Sequence, residues 1–210
     1  MKKIIAISIL LIVSTITIQS CKKGENDPLF SLRTRTNRLA GNWKVVKEEI
    51  KETITNNNIG DTSYVINSIY NGTYKATSTT YSTDETTFII KDTVYYSEEI
   101  KFNSDGSYFK SFVMTDLSNT LEYEGNWIFL GKSDANELKN KEAILLTTTR
   151  LLQTDGTTTT IDNFTNTDGS TYVINQLKNK ELILTVDKSY RSDEGLNLRN
   201  LSVKTTFETK

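Results

Sequence analysis

The chain has no histidine, one cysteine and one proline in 210 residues. Each shortage closes off a class of function. Without imidazole there can be no Ser-His-Asp or Cys-His apparatus, and the commonest zinc ligand is missing. The single thiol, Cys21, allows no disulfide within the chain. A basic excess is lacking as well: Lys and Arg number 25 against 26 Asp and Glu, and losing Lys2 and Lys3 would move the net charge from -1 to -3. Nothing in that balance draws the protein to nucleic acid. Pro28 precedes every segment that reads as a strand. What is plentiful is Tyr, Phe, Thr, Ile and Val, the residues that suit a pleated, half-buried surface.

The N-terminus reads as an address. Met1-Lys2-Lys3 is a short positive region, Ile4 to Ile18 is apolar, and Ile18-Gln19-Ser20-Cys21 ends the run. At about fifteen residues the apolar stretch falls short of the ~20 that a spanning helix wants, and the order of regions is that of a secretory signal. The competing reading is an uncleaved anchor helix followed by a chance cysteine. Ile18-Gln19-Ser20-Cys21 resembles the bacterial lipobox, which implies a signal peptide over 1-20 and a diacylglyceryl thioether on Cys21. Two or three acyl chains anchor stably where a single one is marginal. Lys22 stands where many inner-membrane lipoproteins carry Asp, so the expected address is the outer membrane of the cell envelope, with the membrane as partner through Cys21.

Residues 21-38 form a tether. Lys22 to Pro28 is charged and turn-prone, the composition of a flexible spacer. Leu29, Phe30 and Leu32 then alternate with Arg33, Arg35 and Arg38. They are expected to plug one end of the domain, and the alternative is a basic contact with lipid headgroups or a partner.

From 39 to 210 the pattern is that of strands. Leu39-Ala40-Gly41-Asn42-Trp43 opens a run in which Trp43 and Val45 share one parity and Val46, Ile50 and Ile54 the other, which calls for a bulge at Val45-Val46. The spacing of Val46, Ile50 and Ile54 also fits an amphipathic helix. Strands are expected near 62-70, 73-82 and 86-97, with turns at Asn71-Gly72 and Thr83-Asp84-Glu85. Asp105-Gly106 between alternating runs predicts a hairpin, and Asp155-Gly156, Asp168-Gly169 and Asn179 punctuate further strands. Leu121, Tyr123, Gly125, Trp127 and Phe129 share one face, and Leu201, Val203, Thr205 and Phe207 close the chain in the same style. Ser133 to Lys141 has room for a turn or two of helix. Gly41-Asn42-Trp43 recurs at Gly125 to Trp127, and Tyr64 to Asn67 recurs at Tyr172 to Asn175, but the two offsets differ, so no tandem repeat is supported.

Leu39 to Trp43, Phe102 to Tyr108, Glu124 to Trp127, and the hairpin Tyr172-Val173-Ile174 through Leu182-Ile183-Leu184 together resemble the lipocalin-like family of bacterial lipoproteins. The resemblance implies an all-β, antiparallel up-and-down barrel with Trp43 at its base. Lipocalins stack an Arg over that Trp, and Arg191, Arg199, Arg33, Arg35 and Arg38 are the candidates here. No C-terminal helix is read, and the length of Thr62 to Tyr96 implies strands beyond eight.

A barrel of about eight strands is wide enough for side chains or for one small ligand, so two readings follow. One is a lipid-anchored module holding a small apolar or amphipathic ligand, with Trp43, Tyr108, Tyr123 and Trp127 as lining, although aromatic residues on inward faces also build cores. The other is a structural or interaction module with a filled barrel, whose polar loops Asn56 to Ser63 and Thr157 to Thr171 would meet a protein or glycan. Catalysis would have to rest on carboxylate pairs or on Ser/Lys and Tyr chemistry. Glu48, Glu49, Glu52, Glu98, Glu99, Glu122 and Glu124 qualify by type alone, most of them on expected solvent faces, so the chain is read as non-enzymatic. Asp162 to Asp168 is acidic but lacks the calcium-loop pattern, with Phe164 and Thr167 where a ligand and a Gly belong. No metal and no cofactor is expected.

Overall fold

The computed structural model describes residues 33–56, 63–82, 87–116, 118–132, 142–164, 169–191 and 197–210. The lipobox with Cys21, the residues Leu29, Phe30 and Leu32, the corner Thr83 to Glu85, the segment 133-141 and Asp168 lie outside them.

Among the described residues, one short helix, α1 (Arg35–Leu39), precedes eleven strands. These are β1 (Gly41–Asn56), β2 (Ser63–Tyr70), β3 (Tyr74–Ser82), β4 (Thr87–Phe102), β5 (Ser107–Met114), β6 (Asn119–Phe129), β7 (Ala143–Asp155), β8 (Thr158–Asn163), β9 (Ser170–Leu177), β10 (Glu181–Arg191) and β11 (Asn197–Thr209). Every ladder is antiparallel. The order runs β6-β5-β4-β3-β2-β1-β11-β10-β9-β7, and a β6–β7 ladder closes it into a ten-stranded ring with β8 added on β7. Closure removes most of the unpaired edges that Thr- and Ile-rich strands would otherwise present.

The ring differs between its two ends. At the end where β1 begins, Gly41 to Lys44 pair directly with Phe102 to Glu99 of β4, so this lower end is a ring of eight: β1, β4, β5, β6, β7, β9, β10 and β11. Four residues on, the register of β1 shifts between Val45 and Lys47. Beyond that bulge β1 pairs with β2 instead, from Glu48↔Tyr70 to Thr55↔Ser63. The β2-β3 hairpin is thus a wedge driven between β1 and β4 from the upper end, its tip at Asn71–Thr73. The expected bulge, the strands of Thr62 to Tyr96 and their excess over eight are one feature. The helical alternative for Val46 to Ile54 does not form.

The wedge is fixed by aromatic contacts. Tyr70, fully buried, stacks on Tyr96 at 4.4 Å and donates its hydroxyl to the Tyr96 carbonyl at 3.0 Å. Tyr96 in turn meets Phe112 at 4.4 Å. At the turn, the Asn71 Oδ1 accepts from the amides of Thr73 and Tyr74, both at 3.1 Å.

A second fork sits across the barrel. β7 pairs with β9 through Ala143 to Leu146 and with β8 through Arg150 to Asp155. β8 and β9 therefore lie on the same edge of β7, one above the other. β10 pairs with β9 only through Leu182 to Thr185, and among the described residues no ladder joins β8 to the upper part of β10. A seam is left there.

The core fills the lower end. Leu39, Trp43, Val45, Phe102, Trp127, Ile144, Ile174, Leu177, Leu182 and Phe207 are all buried; Leu39 comes from α1 and the others from the inward faces of facing strands, where side chains alternate with a period of two. Trp43 donates its indole N–H to the Leu39 carbonyl at 2.8 Å, and Trp127 donates to the Asn103 carbonyl at 3.0 Å. Trp127 lies edge-on to both Phe102 and Phe129. α1, capped by Thr34, packs at this end against β9, with Arg38 donating to the Leu177 carbonyl at 2.6 Å. Of the candidate arginines, Arg35 and Arg38 are buried near the base, whereas Arg199 and Arg191 belong to the upper ends of β11 and β10.

Candidate functional site

Above the tryptophan layer the inward faces change character. Alternation carries Glu48, Ile50 and Glu52 inward from β1 once the bulge has reset its parity, opposite Thr205, Val203 and Leu201 of β11. β4 contributes Tyr96, Glu98 and Ile100, and β5 contributes Tyr108, Lys110 and Phe112, paired as Glu98↔Phe112 and Ile100↔Lys110. Tyr123 and Leu146 face them from β6 and β7, and Tyr172 from β9. The carboxylates expected on solvent faces therefore divide: Glu48, Glu52 and Glu98 turn into the barrel, while Glu49 stays exposed in an ion pair with Lys47 at 2.6 Å.

Two adjoining cavities occupy this level. One, of about 240 Å³, is lined by Tyr108, Lys110, Tyr123, Leu146, Thr148, Ser170 and Tyr172. The other, of about 180 Å³, has an apolar wall of Ile100, Leu184, Val186, Leu201, Val203 and Phe207 and a polar end of Glu48, Glu98, Lys110 and Thr205. Lys110, Leu146 and Tyr172 border both. A larger hollow of about 470 Å³ lies open on the outer surface across β1, β11 and β10, lined by Lys51, Thr53, Asp187, Asn200 and Ser202 among others. It is a shallow surface depression, and the two less open inner cavities are the better binding geometry.

The polar end is a connected network. The Lys110 ammonium meets the Glu98 carboxylate at 2.6 Å, with Glu98 buried and Lys110 about a third exposed (31%). Burial alone would push the Lys110 ammonium down, but the Glu98 charge and hydrogen bond, helped by Tyr172 and Glu48, outweigh it and raise it above the ordinary range. Glu48 accepts the Thr205 hydroxyl at 3.0 Å. Its carboxyl is pushed up, first by burial and then by the Glu98 charge, and the Thr205 hydrogen bond and the Lys110 and Lys75 ammoniums only partly offset this. The Tyr96 phenol is driven far above its usual range by burial, by the Glu48 and Glu98 charges and by its hydrogen bond to Glu48. Tyr108 shares a hydrogen bond with Thr148 at 2.7 Å, and burial raises its phenol. Higher up, Arg199 pairs with Glu52 at 3.3 Å.

Of the four residues expected to line a ligand site, Tyr108 and Tyr123 border the 240 Å³ cavity. Trp43 and Trp127 belong to the packed core below and border neither cavity. Sequence reasoning did not single out Lys110, Tyr172 or Thr205 for this site, and it named Glu48 and Glu98 by type alone. Parity was the signal that could have found them: Glu98 alternates with Ile100 and Phe102, and Lys110 with Tyr108 and Phe112. Groups of three or more His, Cys, Asp or Glu able to hold a metal are absent among the described residues. What the arrangement can do is bind: a compartment closed below, half apolar and half hydrogen-bonding.

The protein is thus an antiparallel β-barrel with a compartment in its upper interior. No family model and no curated protein matches the chain. Among solved structures it is similar to a porin-like protein from Bacteroides uniformis ATCC 8492, at 8% identity and a TM-score of 0.23, over 78% of this chain and 97% of that one. A likeness that faint carries nothing about function.

Proposed function

We propose that the protein is a lipid-anchored component of the bacterial cell envelope, tethered to the outer membrane through an acylated Cys21, that holds a small amphipathic ligand in the upper interior of its barrel. One observation carries the binding half of this reading: the lower end is packed solid, whereas directly above it two adjoining cavities join an apolar wall to a hydrogen-bonding one. A barrel meant only as a scaffold has no reason to place Glu48, Glu98 and Lys110 inside, where desolvating charged groups is costly unless they are paired. The tether reading rests on Ile18 to Cys21 and on the charged spacer that follows.

The competing reading, a filled barrel working through its outer surface, is separated from this one by where ligands act. Methyl resonances of Leu184, Val186, Leu201 and Val203 should shift when the protein is titrated with a panel of small amphipathic compounds. Shifts confined to residues of the outer hollow such as Thr53 and Asn200 would favour the filled barrel.

A further inference from the structure

Three carboxylates turn into the barrel, and the structure treats them differently. Glu52 is paired with Arg199 at 3.3 Å and Glu98 with Lys110 at 2.6 Å. Glu48 forms no ion pair among the described residues and has neutral hydroxyl partners, Thr205 at 3.0 Å and the Tyr96 phenol. It stands at the polar end of the inner, 180 Å³ cavity, whose remaining wall is Ile100, Leu184, Val186, Leu201, Val203 and Phe207. An anion placed beside a wall of that kind would face Glu48 and Glu98 together, with the nearest ammonium already committed.

We propose that this inner cavity selects a small amphipathic amine, its ammonium docked on Glu48 and its apolar body laid against Leu184, Val186, Leu201 and Val203. The proposal rests on the ligand-holding reading above and narrows it to one chemical class. A charge-assisted hydrogen bond to a carboxylate is roughly twice as strong as a neutral one, and the hydrogen-bond partners Glu48 now has, Thr205 and Tyr96, are neutral hydroxyls. The groups facing Glu48 are Glu98 and Tyr96 from β4, Tyr70 from β2, Lys75 from β3, Lys110 from β5 and Thr205 from β11. Lys75 and Lys110 oppose an incoming cation, yet the Glu48 carboxyl remains displaced upward despite them. Val186 and Lys188 of β10 and Tyr172 of β9 border the same cavity.

The test is a calorimetric titration of the full chain, purified from its host, with three probes of equal length: n-hexylammonium, n-hexanol and n-hexanoate. Hexylammonium should bind tightest and hexanoate weakest, and raising the pH through the Glu48 titration should strengthen hexylammonium alone. Glu48→Gln should weaken hexylammonium roughly tenfold and leave hexanol within about twofold. Val186→Trp, which fills the apolar wall, should abolish binding of all three. Hexanol or hexanoate binding as tightly as hexylammonium, or Glu48→Gln leaving hexylammonium unchanged, would overturn the proposal while keeping a ligand-holding barrel. Failure of all three probes to bind, or their persistence in Val186→Trp, would remove the inner cavity as a binding site altogether.

Discussion

A methyl group added to Gly125 would overlap the carbonyl oxygen of Thr147 and come within 2.8 Å of the Tyr108 ring. The residue sits at the register shift between Glu124 and Gly125, where β6 presses on β7. Gly125→Ala should therefore cost about 3 kcal/mol or more, the scale of overpacking at a rigid site, as a lowered midpoint in urea unfolding. Glu48 gives a prediction of opposite sign. Its folded carboxyl titrates above its unfolded value of 4.5, so between the two the folded state holds more protons and stability falls as pH rises. Above that window the full penalty stands. Glu48→Gln should be more stable than the parent at neutral pH, and the difference should vanish once the pH drops below the unfolded carboxyl value. Thermal melts across pH 3 to 8 would show it, and a Gln variant less stable at neutral pH would mean that the carboxylate is well compensated.

At the scale of elements, the wedge depends on its tip. Gly72 has φ +92°, and a Cβ there would stand 3.3 Å from the Val46 carbonyl oxygen. Gly72→Ala should cost about 1 to 2 kcal/mol through backbone strain. Amide exchange should quicken along β2 and β3 before it does along β5 and β6. Much of this architecture was legible beforehand, because turn chemistry and period are local. Asn71-Gly72, Asp105-Gly106 and Asp155-Gly156 each make the hairpin that the dipeptide announces, with positive φ at all three glycines, and the parity break at Val45-Val46 is a real bulge. What could not be read was consequence at a distance. The bulge marks the point where β1 exchanges β4 for β2, and that exchange is set by pairings as distant in sequence as Gly41↔Phe102. The same limit hid the site: Lys110 and Glu98 are twelve positions apart in sequence, and only the β4–β5 register makes them a pair. Trp43 and Trp127 looked like lining because they are inward and aromatic, but being inward does not tell core from cavity until the depth of the barrel is known.

For the whole molecule, α1 packs at the lower end, so a barrel anchored through Cys21, as proposed, would be held from the side of its packed base. Cys21→Ala should move the protein from the membrane to the soluble fraction of the envelope without changing its melting temperature, since the buried core is built from Leu39 onward. Retention at the membrane would point to an uncleaved helix or to a protein contact instead. Exposed apolar residues are concentrated at the other end, with Phe88, Ile89 and Ile90 on β4 all more than half exposed. Near the base, Ile128 on β6 is exposed to the same degree.

The most direct measurement is native mass spectrometry of the protein extracted gently from its host membrane. A polypeptide beginning at Cys21, heavier by its acyl groups and carrying a small molecule released on activation, is the predicted result. A bare chain with a free thiol and no releasable companion would contradict both the anchor and the occupied barrel.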